Sequence, residues 1–218
     1  MCGKFTQMSS WRELVAFSQP LVVESGRGGA QDDEDIVSTP MRFANIMRLN
    51  AARQREMASM RWGFSKVGAT SPMRPDYMHA RAETIDTRPT FRDSFAERRG
   101  VLPVVTFNEG EELPNGRTKQ WVISPRDRRP IFIAVIWEEW RNADQSLLTF
   151  VQVTTPANTL ISRITDRMPA ILPGERAIAL WLGEEWAPLP EIKALLRTYE
   201  DGGNWEMTEQ PPRPRKKK

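Results

Sequence analysis

The pattern of hydrophobic and polar positions predicts that strands form the centre of this chain. Residues 41–49 and 55–62 have strand-like patterns. Three later segments are rich in β-branched and aromatic residues and predict further strands: VLPVVTF (101–107), RPIFIAVIW (129–137) and SLLTFVQVTT (146–155). We therefore expect a fold built on strands.

Helical patterns lie on both sides of these strands. In SSWRELVAF (9–17), Ser10 and Glu13 have capping-box spacing, and Leu14 and Phe17 share one face. The segment 24–35, ESGRGGAQDDED, is Gly-rich and acidic, which indicates a loop.

Four more helices are predicted further along the chain. They are PTFRDSFAERRG (89–100), closed by Gly100; a helix with Thr155 and Pro156 as its first residues; GERAIALWLG (174–183); and LPEIKALLRTYE (189–200). The chain has no repeat and no Gly/Ser linker, so the pattern predicts a single α+β domain over residues 1–210 with helices packed around strands.

Composition narrows the class of protein. Of 218 residues, 39% are hydrophobic and 27% are charged, as in an ordinary soluble globular protein. No run approaches the roughly 18 apolar residues of a membrane span, and no signal peptide precedes the domain, so we expect a cytoplasmic protein without a membrane partner. One Cys and one His are too few for a disulfide or a structural zinc site, and we expect no metal and no cofactor.

The basic character of the chain comes from its last residues. The segment PPRPRKKK (211–218) contains five Lys or Arg, and removing them from the net charge of +3 leaves 3 − 5 = −2 for the rest. A Pro-rich basic segment of this kind is predicted to be a disordered tail. It is either simply solvated or adds a sequence-independent contribution to phosphate binding.

The only cysteine is Cys2, directly after the initiator methionine. If Met1 is removed, one residue carries both a thiol and a free α-amine, whose ordinary pKa values of roughly 8.5 and 7.7–8.0 leave both partly reactive near neutral pH. The amine can form an imine with an aldehyde, and the thiolate can then close a thiazolidine ring. The alternative is an inert residue at a frayed terminus.

Six short motifs, in this order and spacing, resemble the SOS response-associated peptidase (SRAP) family. They are MCGKF (1–5), STP (38–40), RWGF (61–64), HARAET (79–84), VVTFNEG (104–110) and TDRMPAIL (165–172). The resemblance covers residues 2–186 and implies a mixed α/β fold with a twisted, barrel-like strand core and a basic channel. It also implies a DNA-associated monomer that crosslinks abasic sites in single-stranded DNA through the exposed cysteine as a thiazolidine.

The resemblance also implies roles for individual residues. Cys2 matches the nucleophile, Glu109 the acid–base carboxylate and Arg81 a channel arginine near the lesion phosphate. Lys4 stands where the family usually has arginine, so a bidentate phosphate contact becomes a point charge. For Glu109 the alternative is a solvated strand end, and for Arg81 it is a structural ion pair with Glu83 or Asp166. Three further residues match positions that line the DNA site: Pro40, Phe91 and Thr154.

The chain departs from the family pattern at two positions that matter for proton transfer. Thr165 replaces the usual histidine before Asp-Arg-Met-Pro and cannot titrate near neutral pH, while His79 replaces the usual asparagine. His79 is the only histidine and can titrate there. One alternative is that the His79 imidazole carries out the proton transfer from the other side of the same site, with Thr165 as a contact of the DNA site. The other is that the crosslinking chemistry has been lost or altered.

The segment after RWGF also departs from the family, because SKVGATSPMRP (65–75) lacks the tryptophan pair that the family often has there, and Gly110 replaces an aromatic residue. Weaker single-strand binding is expected without such aromatic residues. The chain is therefore interpreted as a divergent member.

Three functions stay open at this point. The first is a self-crosslinking sensor of abasic sites, and the second is a single-stranded-DNA-binding module with lost or altered crosslinking chemistry. The third is an autoproteolytic thiol peptidase or a lyase. A thiol peptidase would require Cys2 and His79 to lie within contact distance of each other.

Overall fold

The computed structural model describes residues 3–7, 37–66, 68–72 and 74–210. Within these residues the strands are β1 Lys4–Thr6, β2 Val37–Ser38, β3 Phe43–Leu49, β4 Arg55–Trp62, β5 His79–Arg81, β6 Arg99–Val104, β7 Thr106–Glu112, β8 Thr118–Pro125, β9 Ile131–Arg141, β10 Ser146–Pro156, β11 Arg167–Pro169 and β12 Trp205–Glu209. The helices are α1 Arg92–Glu97, α2 Glu175–Leu182 and α3 Leu189–Ala194, and short 3-10 turns cover Ala82–Thr84 and Ile161–Arg163.

Five of the strands close into a barrel. β3 pairs with β4 and β6, β9 pairs with β6 and β10, and β10 pairs with β4. These pairings are antiparallel except that of β10 with β4. β5 and β11 extend the same sheet by pairing with the C-terminal half of β10. The predicted α+β domain with a barrel-like strand core is confirmed.

A second sheet packs against the barrel strands. Its order is β12, β8, β7, β1 and β2, and all neighbours are antiparallel. The strand nearest the N-terminus, β1, therefore lies inside a sheet, between β7 and β2. This position fixes the residues that follow Cys2 against the strand that carries Glu109.

The barrel side chains alternate between two hydrophobic clusters because successive residues of a strand point to opposite faces. Val151 belongs to a first cluster, which includes Trp181 of α2 and residues of the other helices. Its neighbour Phe150 belongs to a second cluster, which the barrel strands share with Phe5 and Phe107 of the second sheet. This second cluster also includes Trp62, whose ring contacts His79.

Two helix predictions need correction. The helix predicted over 89–100 is limited to α1, and Gly100 lies within β6 opposite Val135. A Cβ at Gly100 would lie 2.8 Å from the Ile46 side chain, so the residue permits close strand packing rather than capping a helix. The helix predicted to begin at Thr155 and Pro156 is wrong, because both residues continue β10 and pair with β11. Proline at the end of a strand removes no ladder hydrogen bond from its interior.

The remaining element predictions differ mainly in their bounds. The strand predicted over 101–107 is two strands, since the chain bends at Val105, whose N–H donates to the Thr6 carbonyl at 2.9 Å. The helix 174–183 is confirmed as α2, which ends at left-handed Gly183 (φ 87°). The predicted helix at 9–17, the loop at 24–35 and the tail at 211–218 lie outside the described residues.

No helix in the described part of the chain is long and apolar enough to cross a membrane.

Candidate functional site

The register of β1 with β7 places Lys4 opposite Asn108, the residue before Glu109. Cys2 lies outside the described residues, and β1 begins two residues after it. Glu109 shares a strand face with Phe107, which belongs to the second cluster, and its side chain is fully buried. The structure thus places a carboxyl in the interior, on the strand next to the one that starts at the N-terminus. The solvated strand end considered as the alternative does not describe this residue.

Residues around Asn108 join the last described residue to the same strand. Asn108 Nδ2 donates to Gln210 Oε1 at 3.1 Å, and the Gln210 N–H donates to the Gln120 carbonyl at 2.8 Å. Because Asn108 lies opposite Lys4, the Gln210 side chain is held on the strand that pairs with β1.

Trp62 connects β1 with the only histidine. Its indole ring lies 5.2 Å from the Phe5 ring and meets the His79 ring edge-on at 5.7 Å, and its Nε1 donates to the Met78 carbonyl at 2.9 Å. His79 is half-buried on β5. The structure therefore brings His79 close to the N-terminal strand through one shared aromatic neighbour.

Gln152 is a buried polar residue that sequence reasoning missed. It lies on β10 in register with His79 of β5 and Val135 of β9. Its side chain is fully buried, and neither its Oε1 nor its Nε2 has a hydrogen-bond partner among the described residues. An unpaired buried amide costs about 1–3 kcal/mol, so its presence in a folded protein calls for an explanation such as a functional role or a bound water. The signal that could have found it is an amide side chain inside the largely apolar segment LLTFVQV (147–153).

Arg81 is exposed at the end of β5, in register with buried Thr154 of β10. The structural ion pair considered for Arg81 is taken by another residue: Arg167 forms a two-pronged pair with Glu83, and its Nη2 also donates to the Thr154 carbonyl at 2.7 Å. The Arg167 hydrogen bond lowers the pKa of Glu83, with a smaller contribution from the charge of Arg81. Arg81 thus keeps its guanidinium group at the surface.

Thr165 lies on the other side of β10 from His79. Its N–H donates to the Ile161 carbonyl at 3.1 Å, and it lies two residues before β11, which pairs with the opposite edge of β10 from β5. The side chain is half-buried. His79 and Thr165, the two departures from the family pattern that matter for proton transfer, therefore lie at opposite edges of β10.

Pro40 lies in a turn, whereas Phe91 belongs to the hydrophobic core. Pro40 is half-buried in the turn between β2 and β3, close in sequence to Ser38, which pairs with Phe5 of β1. Phe91 is buried in the cluster of the helices, with its ring 6.2 Å from Phe64 and 5.6 Å from Tyr77. A buried ring offers DNA no exposed face, so the structure does not join Phe91 to the other candidates.

The described residues offer no obvious metal centre. No group of three or more His, Asp or Glu side chains that could hold a metal ion occurs in residues 3–7, 37–66, 68–72 and 74–210. The chemistry available at this site is that of a carboxyl, an imidazole, an amide and cationic side chains.

A family model identifies the domain that contains this barrel. Residues 1–210 match the model of the family described as SOS response associated peptidase (SRAP), and the chain belongs to this family. The resemblance found in the motifs is confirmed.

Curated relatives match at low identity. The abasic site processing protein YoqW of Bacillus subtilis is 25% identical over 202 residues, covering 92% of this chain and 88% of YoqW. The abasic site processing protein HMCES of Gallus gallus is 24% identical over 172 residues, covering 68% of this chain and 51% of HMCES. These values are consistent with a divergent member.

Solved structures share the fold. A protein from Bacteroides thetaiotaomicron has a TM-score of 0.77 at 21% identity, covering 95% of this chain and 91% of its own. A phage-related protein from Bordetella bronchiseptica has a TM-score of 0.70 at 19% identity, covering 97% of this chain and 95% of its own.

Proposed function

We propose that this protein binds abasic sites in single-stranded DNA and crosslinks to them through Cys2 after Met1 is removed. The curated relatives are abasic site processing proteins of the same family. The observation that carries the proposal is the register of β1 with β7, which pairs the strand beginning two residues after Cys2 with the strand that holds buried Glu109. The reaction requires a nucleophile and an acid–base group that are held close together.

The proposed reaction has two steps. The α-amine of Cys2 attacks the aldehyde of the ring-opened sugar, and the resulting carbinolamine loses water to give an imine. The Cys2 thiolate then adds to the imine carbon and the nitrogen takes up a proton, which closes the thiazolidine. Met1 must be absent, because a peptide-bonded nitrogen cannot form the imine.

Glu109 is proposed as the group that protonates the departing hydroxyl. A buried carboxyl is suited to general acid–base work because its proton is delivered to a defined position rather than exchanged with solvent. His79, which contacts Trp62 beside β1, is proposed as a second proton-transfer group in place of the absent histidine at Thr165.

The DNA strand is proposed to meet cationic side chains on both sides of this pocket. Lys4 of β1 and exposed Arg81 of β5 are proposed phosphate contacts, and Pro40 and Thr165 are proposed to line the strand. For Phe91 and Thr154, which are each 1% exposed, a role at the DNA site stays a prediction from the family pattern. Residues 1–210 are proposed to form the domain that carries out these steps as a monomer.

A denaturing gel shift with an abasic single-stranded oligonucleotide tests the proposal. We expect a covalent adduct with the processed protein and none with Cys2→Ala. A form that retains Met1 should also give no adduct, since its nitrogen is acylated. Equal yields from the processed and Met1-retaining forms would contradict the thiazolidine chemistry.

Glu109→Gln tests the acid–base role. The amide keeps the shape but delivers no proton, so we expect adduct formation to slow by about 10²–10⁴-fold. Glu112→Gln is a matched control on the exposed end of the same strand. An unchanged rate for Glu109→Gln near neutral pH would assign the carboxyl to the structure alone.

One observation favours a second function. Thr165 cannot transfer protons near neutral pH, so a DNA-binding module of the same fold with lost or altered crosslinking is the alternative. In that case the oligonucleotide binds but no adduct appears. An autoproteolytic thiol peptidase would instead show Cys2-dependent cleavage of its own chain.

A further inference from the structure

A row of three side chains crosses the barrel beside the turn between β2 and β3. Antiparallel pairing places Phe43 of β3 opposite Arg61 of β4, and parallel pairing places Arg61 beside Thr149 of β10. Residues in register point to the same face of a sheet, on strands about 4.8 Å apart. The row therefore presents an aromatic ring, a guanidinium group and a hydroxyl group next to one another.

The two inner members of the row are buried without hydrogen-bond partners. Arg61 is 6% exposed and Thr149 is fully buried. Arg61 Nε and Nη2 and Thr149 Oγ1 make no hydrogen bond to any described residue. Burial lowers the pKa of Arg61, and no carboxylate is a cause of the shift. Because buried cations are normally paired, these atoms indicate a site for an acceptor that the described residues do not supply.

The outer member of the row is exposed and held on a fixed backbone. The Phe43 side chain is 53% exposed, although it is a large hydrophobic residue. Ser38 Oγ donates to its carbonyl at 3.1 Å, and the preceding Arg42 carbonyl accepts from the Trp62 N–H at 2.9 Å. Met41, also exposed, donates its N–H to the Trp62 carbonyl at 3.1 Å. The turn thus presents apolar side chains to solvent on either side of exposed Arg42.

The other groups near the row do not neutralise Arg61. Glu138 of β9 lies opposite Thr149, but the charge that acts on its carboxyl is that of Arg98, and burial is the cause of the Arg61 pKa shift. Trp140, two residues further along β9, donates its Nε1 to the Ala69 carbonyl at 3.1 Å and holds the segment after β4 over this side of the barrel. The guanidinium group therefore keeps its capacity for an external anion.

We infer that Phe43 and Arg61 form a nucleotide subsite, in which the Phe43 ring stacks on a base while the Arg61 guanidinium group binds a phosphate of the same strand. Guanidinium groups match phosphate oxygens, and exposed aromatic rings are sequence-tolerant platforms for unpaired bases. The subsite adjoins the site described above, since Ser38 of the same turn pairs with Phe5 of β1. The inference rests on the proposed function for the identity of the strand, a single-stranded DNA.

Fluorescence anisotropy with an undamaged, labelled single-stranded oligonucleotide tests the subsite independently of crosslinking. Phe43→Ala should weaken binding by about 5- to 100-fold, the usual effect of losing one base–aromatic stack, and Phe43→Tyr should restore most of it. Leu189→Ala is the matched control, because this side chain is similarly exposed at 43% but lies on α3. Equal effects of Phe43→Ala and Leu189→Ala would overturn the stacking role.

Arg61→Met tests the phosphate contact. The variant should reduce the slope of log K against log salt by about 0.7, the value for one phosphate on a single strand. Thermal unfolding checks that the variant folds, and Thr149→Val, a near-isosteric change of the fully buried neighbour, is the control that should leave both the binding and the slope unchanged. A more stable Arg61→Met protein with an unchanged salt slope would show that the guanidinium group is only an unpaired structural residue.

The two proposals fail in different ways. If wild-type protein forms no adduct with abasic DNA but its binding to the undamaged strand depends on Phe43 and Arg61, the subsite holds and the crosslinking function does not. If the adduct forms and the undamaged strand binds equally well to all variants, the subsite is overturned and the crosslinking function holds. Duplex binding that equals single-strand binding would also overturn it, because paired bases cannot stack on the ring.

Discussion

Glu138 should make the stability of this protein fall as the pH rises. The residue lies on β9 opposite fully buried Thr149, and burial raises the pKa of its carboxyl to about 7, with a smaller opposing effect of the Arg98 charge. The ordinary value of 4.5 applies to the unfolded chain. Because the pKa of Glu138 is higher in the folded state than in the unfolded chain, its contribution to folding stability is fully present below about pH 4.5 and is lost as the pH rises through about 7.

The size of the effect follows from the shift. A change from 4.5 to about 7 corresponds to about 3 kcal/mol, at about 1.4 kcal/mol per pKa unit. Part of this loss has already occurred at pH 5, because the unfolded carboxyl is then mostly ionised. Between pH 5 and pH 8 the wild-type protein should therefore lose about 2–3 kcal/mol relative to Glu138→Gln, which keeps the neutral form at every pH.

Urea unfolding of both proteins at several pH values between 5 and 8 measures this difference. Glu112→Gln, an exposed residue on β7, serves as the control and should show no comparable pH dependence. If the difference between wild type and Glu138→Gln stayed constant across this range, the carboxyl would not be desolvated in the folded state and the reasoning would be wrong.

Three further predictions concern the site and its surroundings. If His79 has taken over proton transfer, His79→Asn should slow adduct formation, and adding Thr165→His should recover much of the lost rate. Rates of adduct formation for the single and double variants measure this. An unchanged rate for His79→Asn would contradict the hypothesis. Deleting residues 211–218 should weaken binding to undamaged single strands and leave the adduct chemistry unchanged. The slope of log K against log salt should become shallower by about 0.7 for each phosphate contact that is lost. An unchanged slope would assign the tail to another role. Arg167→Met should lower the free energy of unfolding in urea by about 1–3 kcal/mol, because the Thr154 carbonyl loses its hydrogen-bond donor in the interior. Arg163→Met, at an exposed residue, should lower it only slightly. Equal losses for the two variants would contradict this role of Arg167.

Much of this molecule follows from local properties of the sequence. The pattern of residues 55–62 predicted β4 with the bounds observed, and the β-branched runs predicted β9 and β10. The segment 174–183 predicted α2, and the helix ends at Gly183, whose left-handed backbone is typical of a helix C-terminus. The six motifs identified the family, since each depends only on residue types and their spacing.

Tertiary structure decided how these pieces pair. Pro156 suits the first turn of a helix, yet it ends β10 because this part of the chain pairs with β11. The residues next to Pro156 in the sequence do not predict that pairing. The motif around Glu109 could not reveal that pairing of β7 with β1 and β8 would bury the carboxyl completely. Gln152 became a candidate only when β5 placed His79 beside it.

The physical reason is the range of the interactions. Helix caps, strand alternation and the chemistry of Cys2 depend on neighbouring residues and can be predicted from the sequence. The pairing of β1 with β7 joins residues about a hundred positions apart, and the row from Phe43 to Thr149 joins three strands. Such contacts depend on closure of the barrel as a whole, and it is this closure that determines which polar side chains of the protein are buried, which are exposed and which lie together.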